Sequence, residues 1–292
     1  MGRVSDPSYS ERIRRRHRLW WREPTPGVHP PDACFAALDR DAPESAWRCC
    51  PYWQRKLSNK WNSREFAARH DVPTPELYWH GTDLDAAPWA DLPDSYVTRP
   101  NVGYSTHGIQ VMVGGREALA RKRRSPDGVR RHMADYLARH AYEHLVYLLE
   151  ATMQDEDAAV TRPRNYRAHV YAGHVAVVQV NSYRLRWQRW RRRWKTCANL
   201  YTPDWRPLDV TLAPARPRGP LITAPRCLDA MLDAAARLGR EYGSYVAIDF
   251  YATPDGPRLG EITPTPRRGA GYTAEADALL GAPWHEHCPD AL

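Results

Sequence analysis

The stretch YVAIDFYATPDGPRLGEITPTP, Tyr245 to Pro266, constrains the fold more than any other. Tyr245 to Ala252 is apolar and β-rich, Pro254-Asp255-Gly256 is a turn signal, and Leu259 to Thr263 runs back. The pattern predicts a β-hairpin. A three-residue loop needs two right-handed residues and then a left-handed one, and proline, aspartate and glycine meet those needs in order. That register sets Thr253 opposite Pro257 and Asp249 opposite Glu261. The two carboxylates then face each other with Cβ atoms about 5 Å apart, where like charges destabilise. A divalent cation between them reverses the sign. Mg2+ takes hard oxygens, usually one or two carboxylates, with phosphates filling other positions. Thr263, two residues past Glu261 on the same strand face, adds a hydroxyl to the set. The competing reading is a surface hairpin whose acids are neutralised by nearby arginines.

Around this hairpin the chain falls into three provinces. Residues 1–55 form an accessory segment rich in Arg, Pro and Trp, with weak periodicity. Residues 56–150 read as helix, strand, loop, strand, helix, strand. NKWNSREFAARHD is a short helix stopped by Pro73 and Pro75. DSYVTRP and IQVMV are strands joined by the loop NVGYSTHG, and Val129, Met133, Tyr136 and Leu137 share one helical face. HLVYLLE is a strand that ends in an acid. Residues 151–292 begin with a long hairpin, NYRAHVYAGHVAVVQVN, bent at Gly173. An amphipathic helix follows, with Leu228, Met231, Leu232, Ala235 and Leu238 on one face, and the carboxylate hairpin closes the core. Hairpins mixed with helices predict an α+β fold.

Composition narrows the function classes. At 42% apolar residues the 292-residue chain can bury a sizeable core. The six cysteines show no CxxC spacing, so reduced structural thiols are expected. No run approaches about 18 apolar residues, and the N-terminus lacks an apolar stretch before a cleavage site. The expectation is a cytoplasmic protein without a transmembrane span. A net charge of +8, almost all arginine, points to anionic partners in general.

The Gly/Ser/Thr loop in YVTRPNVGYSTHGIQVM follows a basic residue, Arg99, at a strand end. Backbone N–H groups of such a loop can cradle phosphates beside a cation. Together with the hairpin, these elements resemble the ATP-grasp superfamily, most closely its TupA-like branch, from about Lys56 to Leu280. The segment KLSNKWNSREFAARHDVPTPELYW is similar to the family's Lys-helix-Pro opening. YVTRPNVGYSTHG is similar to its Val-x-Lys-Pro strand and lid loop, with Arg99 in the lysine's place. LVYLLEATM is similar to its adenine hinge, and NYRAHVY to its Asp-Tyr-Lys/Arg strand, with Asn165 for Asp. The final hairpin is similar to its metal-binding end and is the most specific match.

The resemblance implies two α+β lobes clasping ATP and an ATP-dependent carboxylate–amine ligase working through an acyl-phosphate. It implies ATP and Mg2+ as cofactors, with Lys60, Arg99, Ser105, Thr106, Glu150 and Met153 on the nucleotide and Asp249, Glu261 and Thr263 on the metal. Arg184 and Arg267 take the catalytic place, and Arg167 and Arg268 the substrate carboxylate. The substrates expected are a small carboxylate and an amine from natural-product or cell-surface biosynthesis. The alternative is an ATP-grasp-like binding protein with little ligase activity that holds an anionic polymer or a tRNA-linked substrate on its Arg/Trp face.

The segment YRLRWQRWRRRWKT belongs to neither catalysis nor core. Trp187, Trp190 and Trp194 have helical spacing with arginines between them. A basic amphipathic stretch of this kind suits an anionic membrane surface, an RNA or another protein, and the partner expected is a tRNA or another anionic carrier. Its plain reading is tryptophans packed on the protein and arginines solvated.

Overall fold

The computed structural model describes residues 7–21, 36–50, 53–103, 106–140, 144–188 and 191–289, with backbone alone at 21, 185–188 and 191–194. The chain opens with helix α1 (Tyr9–Trp21). Then come α2 (Glu44–Cys49), α3 (Trp53–Lys56), α4 (Lys60–Arg69) and strands β1 (Leu77–Gly81), β2 (Tyr96–Pro100), β3 (Gln110–Val113), β4 (Arg116–Glu117) and β5 (Lys122–Arg123). Helix α5 (Pro126–Arg139) and β6 (Tyr147–Ala151) complete the first half. The second half holds β7 (Asn165–Tyr171), β8 (His174–Gln188), β9 (Arg191–Tyr201), β10 (Pro207–Leu208), α6 (Leu228–Tyr242), β11 (Tyr245–Thr253), β12 (Gly256–Thr263) and α7 (Ala274–His287).

These elements form two compact units, each with its own six-stranded sheet. One unit comprises Pro31–Phe66 and Thr74–Met153. The other gathers Met1–Pro30, Ala67–Pro73 and Gln154–Leu292. The division differs from the linear one expected from sequence. Helix α1 falls in the unit that holds the C-terminal half. No described helix is long and apolar enough to cross a membrane.

In the first of these units the sheet order is β1-β6-β2-β3-β4-β5, and the pairings are antiparallel. Helix α5 starts where Ser125 caps Gly128 N–H and Pro126 takes the first turn. Its Val129, Met133 and Tyr136 are buried and pack with Tyr96, Met112, Tyr147 and Leu149 of the strands.

In the second unit the order is β10-β9-β8-β7-β11-β12. Helix α6 buries Met231, Ala234, Ala235, Leu238 and Tyr242, while α1 and α7 bury Tyr9, Ile13, Leu280 and Trp284 against Tyr171, Tyr245 and Ala247. The β11–β12 hairpin corrects one sequence expectation. Thr253 pairs with Gly256 and Ala252 with Pro257, so the turn holds Pro254 and Asp255 alone. A β-bulge then absorbs Gly260, because Phe250 pairs with Leu259 while Asp249 pairs with Glu261. A Cβ at Gly260 would lie 2.9 Å from the Tyr251 ring, so a glycine suits the bulge.

The basic segment is a second correction. Its helical spacing predicted a helix, yet it forms the distal part of the β8–β9 hairpin, with Trp187 opposite Arg192 and Gln188 opposite Arg191. Long-range strand pairing overrides the local period. The side chains of Trp187, Trp190 and Trp194 lie outside the described residues, as does the face they were expected to present.

Candidate functional site

Four strands of the second unit set a polar row across one sheet face. Glu261 on β12 is opposite Asp249 on β11, Asp249 is opposite Arg167 on β7, and Arg167 is opposite Gln179 on β8. Directly opposed residues share a face. Arg167 donates from Nε to Asp249 Oδ1 at 2.6 Å and from Nη2 to Oδ2 at 2.7 Å. Burial works against its charge, but Asp249 and then Glu261 more than offset that and raise its pKa. The opposed acids are thus partly neutralised from the neighbouring strand. Glu261 is half-buried and forms no ion pair among the described residues. Thr263 Oγ1 is buried with no hydrogen-bond partner among them. A buried hydroxyl left without a partner is costly, so one that persists calls for a ligand, a water or an ion. Two carboxylates and a hydroxyl fit a hard divalent cation, and each Asp249 oxygen keeps a lone pair beyond its bond to Arg167.

Two further arginines border this row. Arg216 donates from Nη1 to Asn181 Oδ1 at 3.2 Å, and Asn181 donates to Asn165 Oδ1 at 2.8 Å. Burial lowers the Arg216 pKa, and the charges of Arg267 and Arg167 lower it further. Arg267 stands on the turn Pro266–Gly269 with φ 52° and ψ 15°, followed by Arg268 at φ 55° and ψ 29°. Two successive left-handed residues with side chains cost about 1–3 kcal/mol each. Arg267 donates from Nε to Ala270 O at 3.0 Å. Its guanidinium lies over the Tyr272 ring, 5.7 Å from the centroid. Thr273, next to Tyr272, donates from N to Leu212 O at 3.2 Å and from Oγ1 to Thr211 O at 2.7 Å, which ties the Arg267 turn to the segment that carries Arg216; neither arginine has a carboxylate partner among the described residues.

The other unit carries a second charged cluster. Glu150 at the end of β6 is 2% exposed. Arg64 of α4 donates to its Oε1 at 2.7 Å, and Arg99 of β2 places Nε 2.5 Å from Oε2 and Nη2 3.1 Å from Oε1. Burial lowers the Arg64 pKa, Glu150 opposes that, and Arg99 adds to it. Two guanidiniums thus share one buried carboxylate. Lys60 is 5% exposed at the start of α4, where its N–H donates to Asn101 O at 2.8 Å. Asn101 also accepts from Val146 N and donates to His144 O, both at 2.9 Å, which fixes this end of α4 to the sheet.

The family model for TupA-like ATP-grasp proteins matches residues 80–284. The chain belongs to the TupA-like ATP-grasp family.

Among solved structures, a D-alanine–D-alanine ligase from Bacillus anthracis aligns at 10% identity and a TM-score of 0.51, over 78% of this chain and 63% of that one. D-alanyl-alanine synthetase A from Vibrio cholerae aligns at 12% identity and a TM-score of 0.50, over 80% of this chain and 62% of that one. The ATP-grasp ligase PsnB, complexed with a minimal precursor, aligns at 14% identity and a TM-score of 0.43, over 73% of this chain and 53% of that one. The first two show the ATP-grasp fold, of α+β class, for this chain. The chain spans less than two thirds of the length of each of these ligases. No curated protein matches the sequence.

Within this ATP-grasp chain the residues singled out from sequence divide into groups. Asp249, Glu261 and Thr263 come together on one unit, and Arg99 and Glu150 on the other. Arg167, read as a substrate contact, gives its guanidinium to Asp249. Arg184 is exposed on β8 opposite Lys195, five residues past Gln179, and strand alternation turns it to the face away from Arg167. Arg268 and Thr106 are exposed, Met153 is half-buried just past β6, and Ser105 lies outside the described residues. Arg64, Arg216, Asn181 and Tyr272 were missed. Arg216, in LAPARPRGP, sits between elements where no periodicity marks it. Arg64 follows Lys60 by four positions on one helix, a spacing that puts both on one face and gave a usable signal.

Proposed function

We propose that the protein is an ATP-dependent ligase that joins a carboxylate to an amine through an acyl-phosphate, releasing ADP and phosphate. The observation that carries this reading is the opposed Asp249–Glu261 pair beside the unpartnered, buried Thr263 hydroxyl. A protein that only held an anion would gain nothing from gathering acids there.

Bound Mg-ATP would supply the phosphoryl group and the charge of the cation. Asp249, Glu261 and Thr263 would hold that cation by oxygen. Arg167 fixes the orientation of Asp249 through two parallel bonds. Lys60 and Arg99 would hold nucleotide phosphate, and Glu150 with Arg64 sets the position of the Arg99 fork. Arg216 and Arg267 would face the negative charge that builds on the transferred group. Phosphoryl and acyl transfer depend mostly on such preorganised charge. Arg216 here takes the part that the resemblance gave to Arg184.

The test incubates the protein with Mg-ATP and a panel of acids and amines. A productive pair should release ADP rather than AMP and yield a product one water lighter than its two substrates together. Glu261→Gln should lower turnover at least 100-fold, about 2.7 kcal/mol of transition-state stabilisation. AMP release, or full turnover in Glu261→Gln, would overturn the assignment.

A further inference from the structure

Helix α1 precedes the residues that the family model matches, 80–284, yet it reaches Arg216 and Arg267 by separate routes. The first is direct contact. A Cβ at Gly269 would overlap the carbonyl oxygen of Ser10 and sit 2.9 Å from Arg14 Cγ. Only a glycine lets α1 press on the turn at this point. Arg14 Nε donates to Gly269 O at 2.9 Å. The left-handed pair Arg267 and Arg268 is thus closed from behind by a helix against which it cannot relax.

The second route is a buried hydrogen-bond chain. The hydroxyls of Tyr9 and Tyr245 lie 2.7 Å apart, and His169 Nδ1 is 3.0 Å from the Tyr245 hydroxyl. His169 Nε2 is 3.3 Å from Gln179 Oε1, and Gln179 donates to Asn181 Oδ1 at 2.6 Å. Asn181 Oδ1 is the atom that accepts from Arg216. The helix itself is held by Asp277, whose Oδ1 accepts from Ser10 N at 2.7 Å and from Ser10 Oγ. Arg16 Nη1 adds a bond to Tyr245 O at 2.6 Å.

We propose that α1 positions an oxyanion subsite made by Arg216 and Arg267, with Arg14 and Tyr9 as positioning residues, and that the subsite takes a phosphate group. The proposal rests on the reading of Arg216 and Arg267 as the groups that face transferred phosphate. Neither Arg14 nor Tyr9 touches the ligand. Each fixes an arginine through one intermediary or several.

Inorganic phosphate, a product of the proposed reaction, is the probe. Calorimetric titration of the full chain with phosphate under saturating Mg-ADP gives its affinity at this subsite. Arg14→Ala and Tyr9→Phe should each weaken phosphate at least fivefold, while Mg-ADP affinity stays within twofold of wild type. Arg14→Lys should recover most of the loss, since an ammonium can still donate to Gly269 O. Gly269→Ala should lose phosphate binding too, and if it fails to fold, the other two variants carry the test. Arg216→Gln and Arg267→Gln are the arms for the underlying reading. If those two lose phosphate while Arg14→Ala and Tyr9→Phe bind it as wild type does, the positioning role is overturned and the subsite stands. If Arg216→Gln and Arg267→Gln bind phosphate normally, or wild type binds none, the reading of the subsite falls and the proposal with it.

Discussion

Asp249 faces a carboxylate on one side and a guanidinium on the other, and both come from neighbouring strands in direct register. Burial and partners off the direct register set charge as well, and two residues make this measurable. His169 is fully buried, and burial with the nearby Arg167 charge pushes its pKa from 6.5 down to about 3. The unfolded chain takes up this proton near pH 6.5, the native chain only near pH 3. The contribution of His169 to stability is therefore complete above the unfolded value and is lost as pH falls through that window, by at most about 1.36 kcal/mol per pH unit. His169→Gln should flatten this part of the profile in urea unfolding between pH 7 and pH 4. A variant as acid-sensitive as wild type would refute the claim. Arg99 offers the second case. Arg99→Ala leaves Glu150 with Arg64 alone and should weaken ATP binding by about tenfold, roughly 1.4 kcal/mol, whereas Arg99→Lys should keep part of it because the charge returns without the fork. Equal ATP affinity in wild type and Arg99→Ala, read by calorimetry, would remove Arg99 from the nucleotide site.

Among the elements, the β11–β12 hairpin decides the most. The sequence pattern predicts the Asp249–Glu261 pairing through a three-residue turn, while the chain reaches it through a shorter turn and a bulge. Residue parity survives because the residue missing from the turn reappears as Gly260. Gly260→Ala should cost about 1–3 kcal/mol, since the new methyl meets the Tyr251 ring and overpacking is expensive. It should also weaken ATP turnover by disturbing Glu261 next to it. Unchanged urea midpoints would show that the bulge tolerates a side chain. What was legible follows from locality. Helices α5 and α6, the strand order within hairpins and the acid pair were all readable from short-range patterns. The basic Arg/Trp segment was not, because its partner strand decides its conformation and the helical period there is coincidental. Arg216 was illegible for a different reason. Its role comes from Asn181 and Arg267, 35 and 51 positions away, and no local pattern encodes such a meeting.

At the scale of the molecule, each unit has its own sheet and core, so ligand binding should read out as added stability. A ligand at 100 times its Kd adds about 2.7 kcal/mol. Mg-ATP should raise the thermal midpoint of wild type by several degrees and that of Glu261→Gln by less. Equal shifts in the two proteins would mean that Glu261 plays no part in holding the nucleotide. The unit that carries Glu261 is also assembled from three separate stretches of chain. During synthesis this imposes an order of events. Tyr9 cannot meet the Tyr245 hydroxyl until 236 further residues have been made. At about 5–20 residues per second that is a wait of roughly 10–50 s. Through it Ile13 and Tyr9, both fully buried at the end, lack the part of their cluster that Tyr245, Ala247, Leu280 and Trp284 supply. The five arginines at 12, 14, 15, 16 and 18 repel other copies of the same nascent helix over this interval. A ribosome stalled before Ala274 would hold a chain in which α1 has neither Asp277 nor Trp284 to dock on, so the α1 contacts are completed only after α7 is made.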